Sequence, residues 1–497
     1  FDSDFQKHIY LNGLHDTNHV LFYALVLEHI DELMPLIYTP HIGVAVQTFS
    51  EQFRKPRGLF LTYEDRFSIK EILQNRSNPE VSIIVVTDGE GVLGIGDQGV
   101  GSINIPIAKL MVYSLCAGIN PANTLPIMLD VGTDNLQHLN DPCYLGWRHP
   151  RIRGEQYEEF IDLFISAVKE VFPNVFLHWE DFAAITARQN LLKANKQLCS
   201  FNDDIQGTGA VVVATLNAGL RSLNTDFNSQ KIVIFGAGTA GVGVGEQIYN
   251  AMLHQGIDAG KAKEQIWLID KDGLLFADTP NLKEFQKLFA RNPDQRALWK
   301  STTKIGLAEV IEVIQPTILI GCSSVGKAFN HDIITQMTKY TSHPIILALS
   351  NPTANAEIHP EDALKWTLGQ ALIATGSPFG SVSYQNKKIR IAQCNNAYIF
   401  PGVGLGVVAS KAKKLTDGML AKASYILSDF APILKKEENC LLPELSQARK
   451  VAKNIAIAVA KQAMQEQVAE LMSETELLER IDQLIWEPKY LPLRLKE

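Results

Sequence analysis

Six residues, Gly236-Ala-Gly-Thr-Ala-Gly241, constrain this chain more than any others. They follow the apolar run Ile232-Val-Ile-Phe235 and open a stretch that reads as helix. In a strand–loop–helix the first glycine makes the turn and the second lets a diphosphate approach the backbone. The third lets the helix pack on the strand. Free N–H groups and the helix dipole then favour the anion. Such a turn belongs to a parallel sheet covered by helices. Gly236, Gly238, Thr239, Ala240 and Gly241 are therefore candidate dinucleotide-binding residues; glycines that serve tight packing alone are the competing reading. Asp270 closes the next expected strand, 265–269, where a carboxylate accepts from a ribose 2′-hydroxyl and repels a 2′-phosphate. The expected cofactor is NAD, although Lys271 beside it pulls toward NADP. The gap from Gly241 to Asp270 exceeds the usual spacing of about 20 residues, so a longer helix and a loop through Lys263 must fill it.

Further strands are expected at 317–320, 345–349 and 371–374, which places a Rossmann-type NAD-binding domain over 203–395. Upstream, 57–202 also alternates, with strands at 82–86, 125–131 and 175–179. Each of these three carries an acid just at its carboxyl end: Asp88, Asp130 and Glu180. Open α/β sheets bind ligands at that end. Residues 1–56 read as helical, with Asp16-Thr17 capping a helix through Leu33 and Pro35 and Pro40 ending it. Residues 396–497 turn helical again, with 448–470 the longest amphipathic stretch, and are expected to return to the catalytic domain. The expected fold class is α/β: a Rossmann-type domain plus an α/β catalytic domain, with helical N-terminal and C-terminal regions.

Composition excludes several function classes. A chain of 497 residues, 46% hydrophobic and 20% charged, has room for two or three ordinary cores. A net charge of -8 argues against nucleic acid. The longest apolar tract, 397–409, is broken by Pro401, Gly402, Gly404 and Gly406, so no membrane span is expected there. Six widely spaced cysteines without C-x-x-C argue for reduced thiols and a cytoplasmic location. The start, Phe1-Asp-Ser-Asp, carries no signal-peptide pattern.

Two acid pairs stand out, Glu180-Asp181 and Asp203-Asp204. Glu180, Asp181 and Asp204 offer oxygen donors only, which suits Mg²⁺ or Mn²⁺ rather than zinc. The competing reading is helix N-terminal caps. Adjacent strand residues face opposite ways, so both members of the first pair reach one cation only if the strand ends there. Lys109 is the sole charge in the apolar run 105–117. Desolvation there would suit a general base. On spacing alone, a lysine whose stem covers apolar surface while its head reaches water is the stronger reading. Asn351 and Asn396 lie near strand ends, where asparagines usually make turns.

Taken together, the chain resembles the malic enzyme family over nearly its whole length. The resemblance rests on Tyr38-Thr-Pro40, Val86-Thr-Asp-Gly-Glu90, Leu93-Gly-Ile-Gly-Asp97, Trp179-Glu-Asp-Phe182 and Phe201-Asn-Asp-Asp-Ile-Gln-Gly-Thr208. Ser350-Asn-Pro-Thr353, Ala374-Thr-Gly-Ser-Pro-Phe379 and Tyr398-Ile-Phe-Pro-Gly402 add to it. The resemblance implies oxidative decarboxylation of L-malate to pyruvate and CO₂ with NAD⁺ and Mn²⁺ or Mg²⁺, in a cytoplasmic homodimer or homotetramer. It implies Glu180, Asp181 and Asp204 as metal ligands, Lys109 as general base and Tyr38 as acid. Asp203 would belong to the catalytic network, Asn351 and Asn396 would contact substrate, and Asn351 would also contact the cofactor. One departure is Gly91, where most of the family has an arginine that grips a malate carboxylate. Here the chain is similar to the malolactic branch, which makes L-lactate and CO₂ with NAD held tightly. Arg54, Arg57 and Arg148 are candidates to replace the missing cation. The malic reaction is the leading expectation and the malolactic reaction the alternative. A catalytically weakened regulatory or scaffold protein is the third reading.

Overall fold

The computed structural model describes residues 1, 3–52, 55, 57–76, 78–92, 94–301 and 304–492. They form two compact units, one of Phe1–Asn202, Phe400–Leu415 and Leu445–Glu497 and the other of Asp203–Ile399 and Thr416–Glu444.

The first unit is built on a five-stranded parallel sheet: β1 (Leu59–Thr62), β2 (Ile83–Thr87), β3 (Thr124–Asp130), β4 (Phe176–Trp179) and β5 (Cys199–Asn202), in the order β1-β3-β2-β4-β5. Helices cover both faces, so the central strands are mostly apolar and Ile83 to Val86 are fully buried. β4 and β5 are parallel neighbours with Trp179 opposite Asn202. The chain thus leaves both at the same end of this sheet, into Glu180-Asp181 and into Asp203-Asp204. The helix Asn104–Ala117 lies in the core, and helices Phe400–Ser410 and Ala448–Gln465 pack on it and on each other. The run Gly99–Ala117 is long and apolar enough to cross a membrane by composition, but 94% of its apolar window is buried inside the protein.

The N-terminal expectation needs correction. The first residues form three helices, Asp4–Thr17, His19–Glu28 and Ile30–Ile37, not one. Asp16 and Thr17 end the first helix. Asn18 caps the second, its side chain accepting from Leu21 N at 3.0 Å. Asp16 is instead drawn to Arg57, 2.6 Å away. Pro35 sits inside the third helix and does not end it.

In the second unit, β6 (Ile232–Phe235), β7 (Ile266–Asp270), β8 (Gly273–Leu274), β9 (Ile318–Gly321), β10 (Ile345–Ala348), β11 (Leu372–Thr375), the hairpin β12 (Val382–Tyr384) and β13 (Lys387–Ile389), and β14 (Ala392–Gln393) follow in turn. The main sheet has the order β14-β11-β10-β9-β6-β7-β8, parallel except for β8 on β7. β6 lies between β7 and β9, so the strand order reverses beside it, which is where a doubly wound sheet opens its ligand crevice. Two helices, Thr239–His254 and Ala259–Glu264, fill the long gap between β6 and β7. Helix Asp417–Asp429 packs on Thr208–Ser222 within this unit.

Candidate functional site

At the carboxyl end of β4, alternation puts His178 and Glu180 on one face and Trp179 on the other. Trp179 Nε1 donates to Ser200 Oγ at 2.7 Å, and its ring packs edge-on against Phe164 and Phe182. Glu180 accepts from Lys109 Nζ at 3.0 Å through Oε1, while its Oε2 lies 3.0 Å from His178 Nε2. The side chains of Lys109 and Glu180 are 3% and 7% exposed. The lysine therefore does not reach for water. Its ammonium is buried against a carboxylate, 4.9 Å from the Phe400 ring centre and 5.5 Å from that of Tyr38. Burying such a pair costs desolvation that partner geometry must offset. Asp181, next in the chain, has φ 58, left-handed backbone that breaks the strand's two-face alternation.

The other two strand-end acids are used differently. Asp130 accepts from Trp147 N at 2.7 Å and Gly132 N at 3.2 Å, and burial raises its carboxyl above the usual range. Asp88 is fully buried, accepts from Tyr157 Oη at 2.8 Å, and lies 3.9 Å from Arg151. Burial, helped by the charge of Glu90 and opposed by Arg151, pushes its carboxyl up to about 6. The folded chain then holds this proton between about pH 4 and 6, where the unfolded chain has lost it, so stability falls as pH rises through that window. Two units correspond to roughly 3 kcal/mol. Asp88→Asn copies the protonated shape. Its melting temperature is expected to gain on wild type between pH 5 and pH 8, and an equal gap at both would refute the assignment.

Gly91 is held between two loops. Its N–H donates to Asp181 O at 2.9 Å, and a Cβ at this position would sit 2.5 Å from Phe182 O. It serves close backbone approach. Of the three arginines expected to replace a cation there, Arg54 lies outside the described residues. Arg57 is committed to Asp16 and to Asn12 O, at 2.6 and 2.8 Å. Arg148 is exposed and holds the carbonyl of Pro142.

In the second unit the glycine loop follows β6 as expected. Gly236 has φ 110, which L side chains avoid, and a Cβ there would strike the Cys322 backbone after β9. Gly238 has open space around it. It precedes helix Thr239–His254, whose first N–H groups have no side-chain cap. Asp270 accepts from Lys271 N at 2.8 Å and from Gln286 Nε2 at 2.9 Å. Gln286, buried, also donates to Ala237 O at 2.8 Å, tying the end of β7 to the glycine loop. Ser377 Oγ donates to Asn351 Oδ1 at 2.6 Å. Asn396 Nδ2 donates to Asp203 Oδ2 at 2.9 Å and to Thr208 Oγ1 at 3.1 Å. Glu357, fully buried, accepts from Ser323 and Ser350, joining the loops after β9 and β10.

His178, Gln286 and Glu357 went unread in the sequence. A histidine two positions before Glu180 in an otherwise apolar strand was the one visible signal. Gln286 and Glu357 owe their roles to partners far along the chain. All six cysteines are free.

Comparison with known proteins agrees with this architecture. Residues 15–195 match the family model for the malic enzyme N-terminal domain and residues 205–464 that for the malic enzyme NAD-binding domain. The chain is 48% identical over 491 residues to the NAD-dependent malic enzyme of Proteus mirabilis, covering 99% of this chain and 87% of that one. The NAD-dependent malic enzyme of Pectobacterium carotovorum is equally similar, at 48% with the same coverage. Among solved structures, the Entamoeba histolytica malic enzyme superposes with a TM-score of 0.61 at 21% identity, over 91% of this chain and 80% of that one. The Pyrococcus horikoshii malic enzyme does so with a TM-score of 0.61 at 21% identity, over 92% and 89%. At those identities the structures speak for the fold alone. With both domain models matched along its length, the chain belongs to the malic enzyme family.

Proposed function

We propose that the chain is an NAD-dependent malic enzyme, converting L-malate and NAD⁺ to pyruvate, CO₂ and NADH. The observation that carries this reading is the buried Lys109–Glu180 pair beside Tyr38, present in a chain whose relatives bear that name. Such a pair is costly to bury, and its retention argues against a weakened scaffold. Nothing in the comparisons favours the lactate-forming alternative. Gly91, its main sequence support, is a packing glycine.

Glu180, Asp181 and Asp204 are the ligands proposed for Mn²⁺ or Mg²⁺. The donor set is carboxylate oxygen throughout, which fits a hard divalent cation. The left-handed turn at Asp181 frees it from the alternation that would send it to the sheet face opposite Glu180. When bound, the cation supplies Lewis-acid polarisation at C2 and NAD⁺ supplies the hydride acceptor. Lys109, in its neutral amine form, takes the proton of the C2 hydroxyl as C2 is oxidised. Loss of CO₂ leaves an electron pair on C3, and Tyr38 delivers the proton there. Asn351 and Asn396 are proposed to contact the substrate, with Asn351 also at the cofactor. Asp203, held by Asn396, is proposed to keep that amide in place.

The loop Gly236 to Gly241, with Gly238, Thr239 and Ala240, is assigned to the diphosphate and Asp270 to the ribose. Asp270 repels a 2′-phosphate, so kcat/KM is expected to be higher with NAD⁺ than with NADP⁺. Asp270→Asn should narrow that ratio by roughly tenfold, since like-charge juxtaposition costs kcal/mol. A wild-type preference for NADP⁺ would overturn this part. A cytoplasmic homodimer or homotetramer completes the reading. The main test is malate with NAD⁺ and Mn²⁺. NADH and pyruvate appearing together support it, lactate without free NADH would establish the malolactic reaction, and neither product would leave the scaffold.

A further inference from the structure

His178 has no place in the reaction as written, yet it is one of the most constrained side chains in the first unit. It is fully buried in the middle of the sheet, between Val85 on β2 and Phe201 on β5. Its Nδ1 lies 2.9 Å from Tyr113 Oη and its Nε2 lies 3.0 Å from Glu180 Oε2. The rings of Phe201, Phe400 and Tyr113 meet it edge-on at 5.1, 5.6 and 5.8 Å, so it has no room to turn. One neutral arrangement satisfies both contacts. Tyr113 O–H donates to Nδ1, and the proton on Nε2 is donated to the carboxylate. Glu180 is thus held through both oxygens, by Lys109 on Oε1 and by His178 on Oε2. Rotating the carboxylate breaks one or both.

We propose that His178 is a positioning residue: its Nε2–H, fixed by Tyr113, holds the Glu180 carboxylate in the orientation that takes a divalent cation. This rests on the reading of Glu180 as a cation ligand. The consequence is specific to this site. Lys109 must part with a proton and exchange partners during turnover, so it is an unsteady holder of Glu180. His178 gives up no proton in that reaction and is the partner that stays. Without it, both carboxylate oxygens turn to the ammonium of Lys109, which withdraws the ligand and ties up the base together. A histidine that merely fills the core needs no particular donor at Nε2, and this separates the two roles.

The test is Mn²⁺ binding to the full chain without substrate or NAD⁺, read from the free Mn²⁺ signal in electron paramagnetic resonance. Each variant is also checked by thermal melting and by NADH binding. Orienting partners of metal ligands are typically worth 10–100-fold in affinity. His178→Leu is expected to weaken Mn²⁺ binding by roughly that factor while NADH binding is unchanged. His178→Gln presents an amide N–H at similar reach and is expected to stay within about threefold of wild type. Tyr113→Phe keeps the ring and removes the hydroxyl. It serves where the leucine variant fails to fold, and should weaken binding by roughly threefold or more. Folded His178→Leu or Tyr113→Phe protein that binds Mn²⁺ as wild type does overturns the proposal. So does a glutamine variant as weak as the leucine one, because ring shape would then matter and donation would not. Glu180→Gln separates the two levels. If it binds Mn²⁺ normally, the ligand assignment falls and this inference with it; if it binds weakly while His178→Leu does not, the positioning role alone falls.

Discussion

Lys109→Met is expected to lower kcat by roughly 10²–10⁴-fold, the usual worth of a general base, while NADH binding remains intact. Methionine keeps the length and apolar stem of lysine, so the helix Asn104–Ala117 loses little packing. What it does lose is the ammonium, and with it the partner on Glu180 Oε1. Leaving one member of a buried pair costs about 3–5 kcal/mol, so the single variant should also melt earlier. The Lys109→Met/Glu180→Gln double variant separates the two effects. It replaces the stranded charge with a neutral amide and should recover most of the stability but none of the turnover. If the double variant recovers activity along with stability, the pair is structural and Lys109 is not the base. A single variant that retains more than about a tenth of wild-type kcat would lead to the same conclusion.

Legibility followed the range of the forces involved. Strands β6, β7, β9, β10 and β11 fall within about a residue of their expected positions, because each is a largely apolar, isoleucine-containing run closed by a turn former. β1 is four residues long and only one of them is buried, so its pattern was too weak to read. β5, Cys199-Ser-Phe-Asn202, is wholly buried but looks polar, since Ser200 there serves the indole of Trp179 on the neighbouring strand. The expected helix from Asp16-Thr17 through Leu33 merged the second and third helices, because apolar spacing continues across His29, which divides them without a side-chain cap. Lys109 is the plainest case. Spacing favoured a lysine reaching for water, and only the fold brings Glu180, at the end of β4, to this helix to hold it inside. Gln286 on Asp270 is of the same kind, and so is Tyr113 on His178, which means little until a helix distant in the chain brings its hydroxyl beside the imidazole.

Gly91→Arg is the second large effect, and its direction is opposite to the one the family pattern suggests. An arginine that grips a substrate carboxylate would add a charge-assisted, bidentate contact and tighten malate binding. The backbone at Gly91 does not admit it. A Cβ would stand 2.5 Å from Phe182 O and 2.9 Å from Phe182 C, and those are main-chain atoms that cannot swing aside. The Gly91 N–H is also bonded to Asp181 O at 2.9 Å, so the strain passes directly to the residue that follows Glu180. Asp181 is already in left-handed backbone, a conformation that survives only where its surroundings enforce it. Pushing the Phe182 segment away is therefore expected to release Asp181, lower the melting temperature and cut kcat by roughly a hundredfold, the scale of a misplacement of about 1 Å near reacting groups. Gly91→Ala should show most of the same loss, because the first carbon makes the clash and the guanidinium plays no part in it. If Gly91→Ala turns over as wild type does while Gly91→Arg binds malate more tightly, the loop has room to relax. Gly91 would then be a lost substrate contact, and the lactate-to-NADH ratio of the wild-type protein would become the measurement to repeat.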